Sequence, residues 1–207
     1  MPPTSTSAPP LSFYGPTPEG FPPLARISVE RYERMIDSGA FNDDDRFELI
    51  EGTLVQKMTK KTPHSAGTEG SWRALHSVLP AGWHVRIEEP VRIPERDSMS
   101  EPDVSVARGS HRDYRERDPG PGDLALVVEV AWSNLAADRA LARTYGGGNI
   151  PAYWIVNVLD RQIEVYANPV DGVYPPPVII PETGFVDLVI DGQVVAQILA
   201  AELLGTD

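Results

Sequence analysis

The segment Leu124-Ala-Leu-Val-Val-Glu129-Val-Ala131 constrains this chain more than any other. Seven of its eight residues are apolar and five are Val or Leu, the pattern of a strand buried on both faces. One carboxylate, Glu129, interrupts it. An ionised carboxylate in such surroundings costs several kcal/mol unless a cation, a metal ion or hydrogen-bond donors meet it. The plain structural alternative is a salt bridge to an arginine. Two more carboxylates lie on strand-like segments: Asp103, which leads Val104-Ser-Val-Ala107, and Glu48, within Arg46-Phe-Glu-Leu-Ile50. Taken alone, Asp103 reads as a solvated strand start and Glu48 as an outward residue of a half-exposed hairpin.

The remaining segments describe a mixed α/β sheet with few helices, in one domain over 26–207 behind a proline-rich arm. Residues 1–25 hold eight prolines and no apolar period, which predicts a disordered or loosely docked segment. Ser28 is a helix N-cap, with Val29, Tyr32, Met35 and Ile36 on one face and Gly39 as the stop. Glu51-Gly52 and Asp191-Gly192 each mark a tight β-hairpin, and a third turns around Asp160-Arg161. Helical spacing recurs over 64–79 and from Asn134 to Tyr145, the latter closed by Gly146-Gly-Gly148. The pairs Val85 and Ile87, then Val91 and Ile93, alternate as half-buried strands do.

Charge narrows the function. Against 18 Lys and Arg stand 30 Asp and Glu, a formal charge of −12. The global field therefore repels DNA, and phosphate contacts fall to local patches such as Lys57, Lys60 and Lys61, or arginines 108, 112, 115 and 117. No run of eighteen apolar residues exists, so no membrane span is expected. The absence of cysteine excludes disulfides and thiolate metal sites and fits a reducing cytoplasm. His64, His76, His84 and His111 lack zinc spacing.

Three carboxylates on neighbouring strands suit a divalent cation. Phosphodiester hydrolysis needs an activated water and neutralisation of charge on the phosphate, and Mg²⁺ held by one or two carboxylates supplies both. A nearby lysine orients the water or stabilises the transition state.

Phe47-Glu-Leu-Ile-Glu-Gly52, Pro63-His64, Glu101-Pro-Asp-Val104, Leu126-Val-Val-Glu-Val130, Asp138-Arg139, Ile150-Pro-Ala-Tyr-Trp-Ile155 and Glu164-Val-Tyr166 occur in that order. With these the chain resembles the putative restriction endonuclease family, a branch of the PD-(D/E)XK nuclease superfamily, over about residues 28–200. The resemblance implies a central mixed β-sheet flanked by helices and a Mg²⁺ site, with Mn²⁺ as a substitute. Asp103 and Glu129 match its metal-binding acidic pair, Glu48 the additional acid of the first hairpin, and His64 the histidine before the second helix.

The chain departs from that pattern at the lysine. The superfamily position two residues after the Glu is Ala131, and the equivalent on the following helix is Ala142. Arg143 or Arg139 is then the expected substitute, with Lys57 a further donor, and Arg cannot lose its proton. The leading reading is a Mg²⁺-dependent endonuclease acting on DNA through Glu48, Asp103, Glu129 and Arg143, with Lys57, Lys60, Lys61 and His64 contacting nucleic acid. Its rivals are a non-catalytic descendant that binds metal or nucleic acid, and a protein-interaction module. Edge strands and the hairpin holding Trp154 offer a homodimer surface.

Overall fold

The computed structural model describes residues 25–42, 45–57 and 62–205. The expected arm, residues 1–25, lies outside these except for its last residue, and Lys60 and Lys61 lie outside them altogether. Helix α1 (Val29–Asp37) starts at Ser28, whose hydroxyl accepts the Arg31 amide. Its buried residues are Val29 and Tyr32, while Ile36 is exposed. The first hairpin, β1 (Phe47–Ile50) and β2 (Thr53–Gln56), turns at Glu51 and Gly52, both at positive φ, as a two-residue turn of this hand requires. Helix α2 (Thr62–Val78) follows, then β3 (Trp83–Ile87), β4 (Val91–Ile93), β5 (Ser98–Ser100), β6 (Val104–Arg108) and β7 (Leu124–Ala131). Helix α3 (Leu135–Gly147) crosses over to β8 (Ala152–Asn157), which leads to β9 (Gln162–Ala167) and β10 (Val178–Pro181). A closing hairpin, β11 (Phe185–Ile190) and β12 (Gln193–Leu199), runs into the short helix α4 (Ala200–Leu203).

Two main sheets result. Six strands line up in the order β10-β9-β8-β7-β6-β3, antiparallel except for the β7–β8 pair that α3 connects. Four strands form the order β2-β1-β5-β4. The chain passes from the second sheet to the first between β5 and β6, through Glu101-Pro-Asp103.

Strand β7 carries the expected double-sided burial. Leu126, Val128 and Val130 join a core cluster with α2, α4 and the closing hairpin. Val127 and Ala131 join the opposite cluster, which Tyr145 of α3 also enters. Glu129 shares their face, since side chains two apart along a strand point the same way. The carboxylate therefore looks toward α3 and the four-stranded sheet.

Two expectations are corrected, and a third is extended. Trp154 is 1% exposed, and β8 and β9 are each flanked on both sides, so that hairpin lies inside the sheet and has no free edge. Strand β3 does not alternate as read: Arg86 is buried and Ile87 exposed, because Arg86 is held by Pro90 and Glu89. Gly146–Gly148 do more than end a helix. The left-handed residue after α3 is Asn149, whereas a Cβ at Gly148 would stand 2.6 Å from Ile93 Cγ2. Gly148 lets the end of α3 lie against β4, while Gly146 and Gly147 make room for Tyr174 and Arg96.

Candidate active site

The junction between the sheets is where the carboxylates meet. Asp103 ends the crossing segment and is buried. Its Oδ2 accepts the Val130 amide at 2.8 Å and faces His64 Nε2 at 3.0 Å. Glu129 Oε2 accepts the Asp103 amide at 3.3 Å, and its Oε1 accepts the Tyr145 hydroxyl at 2.8 Å. Tyr145 is buried and within 3.2 Å of the Ser100 hydroxyl, so α3 and β5 jointly hold the Glu129 carboxylate. A backbone amide and a phenol, rather than an arginine, thus meet the Glu129 carboxylate.

Glu48 does not point outward. Its Oε1 accepts the Glu101 amide at 2.9 Å and lies 3.4 Å from Lys57 Nζ. Lys57 also donates to the Glu101 carbonyl at 3.0 Å and to Glu101 Oε2 at 2.9 Å. Thus β1, β2 and the crossing segment are tied together around one ammonium.

These groups line one cavity of about 200 Å³. Five carboxylates face it, Glu48, Glu101, Asp103, Glu129 and Asp138, with His64 and Lys57. Helix α2 brings His64 close because Gly67 lets it approach β7, where a Cβ would stand 2.8 Å from Val130 Cγ1.

Crowding of like charge in a poorly hydrated space raises proton affinity. Burial, then the charges of Asp103, Asp138 and Glu48, pushes the Glu129 carboxyl well above its ordinary range. Burial likewise raises Glu48, against the pull of Lys57. Asp138 is pushed up to about 7, by burial first and by Asp103 next. A divalent cation would relieve all three.

The donor set fits such a cation. Mg²⁺ takes oxygen ligands, commonly one or two carboxylates with water filling the remaining positions. Asp103 and Glu129 would provide that pair. Among the described residues, no three His, Asp or Glu side chains are arranged to hold a metal ion as they stand. Glu48 is engaged with Lys57 and the Glu101 amide.

Residues 29–196 match the Uma2 family, whose description is putative restriction endonuclease. The chain belongs to this family. A crystal structure of a putative nuclease belonging to DUF820 from Anabaena variabilis is similar in fold, with a TM-score of 0.65. The likeness covers 87% of this chain and 98% of that one at 15% identity. None of the curated proteins compared matches the sequence. The mixed sheet with flanking helices is accordingly the restriction-endonuclease-like architecture.

Within this Uma2 chain, the basic residues divide. Arg139 turns from the cavity and makes a bidentate pair with the buried Glu164 of β9, at 2.9 and 2.6 Å. From α3 the cavity lining takes Ala137, Asp138 and Leu141; Arg143 is not part of it. Lys57 and His64 do line it. Sequence reasoning passed over Asp138, Glu101 and Tyr145 as site residues. Asp138-Arg139 stood in the motif set, but only the packing of α3 across β7 and β8 reveals that Asp138 faces the other carboxylates.

Proposed function

We propose that this chain is a Mg²⁺-dependent endonuclease that hydrolyses DNA phosphodiester bonds. The observation that carries the reading is the mutual clasp of Asp103 and Glu129 in a cavity whose described lining sets five carboxylates beside Lys57 and His64. Asp103 and Glu129 would hold the cation, with Glu48 beside them, and the cation would supply Lewis acidity toward the phosphate and the water. Tyr145 and Ser100 orient Glu129. His64 restrains Asp103. Lys57, anchored by Glu48 and Glu101, presents a compact cation to the developing negative charge and takes the place expected of Arg143.

No helix among the described residues is long and apolar enough to cross a membrane, and a cysteine-free chain suits the reducing cytoplasm we infer for it. A homodimer would use an edge strand such as β10, where Val178 and Ile179 are exposed.

Purified protein incubated with supercoiled plasmid and Mg²⁺ or Mn²⁺ should nick it, and Glu129→Ala should abolish nicking. Nicking that survives the substitution refutes the reading. Metal-dependent stabilisation without cleavage would instead identify a non-catalytic descendant. An absence of both effects would favour a protein-interaction module.

A further inference from the structure

The cavity that holds Asp103 and Glu129 has a mixed lining. Beside the carboxylates and Lys57 it takes an apolar set, Ile50 and Val55 of the first hairpin, Trp132 just past β7, and Ala137 and Leu141 of α3. Trp132 is half-buried and lies outside the core clusters that enclose Tyr153 and Trp154.

An apolar lining does nothing for a phosphate or a hydrated cation, whose oxygens need donors and water. It does suit the flat face of a nucleobase, which stacks on aromatic side chains without regard to sequence. Paired bases are stacked inside a duplex and reach such a lining only after extrusion, at a cost that is least when the strand is already single. Duplex binding also relies on a broad cationic footprint, which a formal charge of −12 opposes. A single strand also carries phosphates, at a lower charge density than a duplex, and base stacking adds affinity that does not depend on charge. A space of about 200 Å³ admits one base rather than a base pair.

We propose that the apolar lining containing Trp132 receives an unpaired nucleobase, so that single-stranded nucleic acid is the substrate class of this site. The inference rests on the nuclease reading above and narrows it. The indole orients the base while the adjoining phosphate reaches Lys57 and the carboxylate pair.

Binding can be measured apart from chemistry. The Glu129→Gln protein is titrated without metal into labelled single-stranded DNA, duplex DNA and single-stranded RNA of one sequence, followed by fluorescence anisotropy. Single-stranded DNA should bind at least about tenfold more tightly than duplex, and single-stranded RNA comparably to it. Adding Trp132→Leu should weaken single-strand binding about tenfold or more, whereas Trp132→Phe should retain most of it. Leucine and phenylalanine both lose volume relative to the indole but only phenylalanine keeps a π-face, so a purely packing role for Trp132 would weaken binding in both variants alike. Equal affinity for duplex, indifference to Trp132→Leu, or equal weakening in both variants overturns this proposal and leaves Glu129-dependent plasmid nicking standing. Loss of that nicking would overturn the nuclease reading itself.

Discussion

Asp103 and Glu129 hold each other through the backbone. The Asp103 amide donates to the Glu129 carboxylate at 3.3 Å, and the amide after Glu129 donates to the Asp103 carboxylate at 2.8 Å. Each acid is fixed by the strand that carries the other. The geometry of the pair is therefore set before any ligand arrives, which lowers the ordering cost of binding one.

Such preorganisation strains the empty protein. Glu129→Gln should raise the melting temperature without metal at alkaline pH, because it removes an acid whose ionisation is opposed by burial and by the charges of Asp103, Asp138 and Glu48. The amide oxygen can accept the Asp103 amide, and the amide nitrogen can donate to Tyr145. Thermal melts with and without Mg²⁺ check this: the substituted protein should lose the metal-dependent increase.

The metal-free protein should grow more stable as pH falls from about 8 to 5. Asp138 titrates at about 7 when folded against an ordinary 3.8, so between those values the folded state holds a proton that the unfolded chain lacks. Glu48 and Glu129, raised in the same direction, add to the slope. Asp138→Asn should flatten the dependence in denaturant titrations. Metal affinity should fall over the same interval, since protons compete for the carboxylates.

Lys57→Met should reduce turnover by about 10²-fold, the usual loss when one group stabilising transition-state charge is removed. Metal affinity should hold or rise, because a cation leaves the cavity. Lys57→Arg should restore turnover only in part, its planar fork being a poor match for a site built around a point charge. Single-turnover kinetics beside a Mn²⁺ titration separates the two effects.

Away from the cavity, Arg96→Ala should destabilise the fold by about 3 kcal/mol. Arg96 pairs with the buried Glu51 at 2.8 and 2.5 Å, and Thr144 of α3 donates to the same carboxylate at 3.0 Å. Removing the guanidinium leaves Glu51 charged and buried at the contact between the first hairpin and α3. Urea denaturation gives the number directly.

Much of this was legible in residue order. The tight turns at Glu51-Gly52 and Asp191-Gly192, the cap at Ser28 and the buried strand around Glu129 all follow from local rules. Strand β5 was not legible. Its three residues, Ser98-Met-Ser100, have no pattern of their own and form a strand because β1 and β4 flank them. Glu51 read only as a turn residue, and its ion pair with Arg96 joins segments 45 residues apart.

The sequence by itself determined most of the elements, the family and the oddity of a carboxylate in an apolar strand, because periodicity, turn chemistry and burial cost act over a few residues. Only the tertiary structure decided which charges meet. It sent Arg139 to Glu164, left Arg143 outside the cavity lining, and brought Lys57, Asp138 and Trp132 to the walls around Glu129. Those outcomes depend on how α3 and the first hairpin pack across the sheet junction, a long-range result that no local pattern encodes.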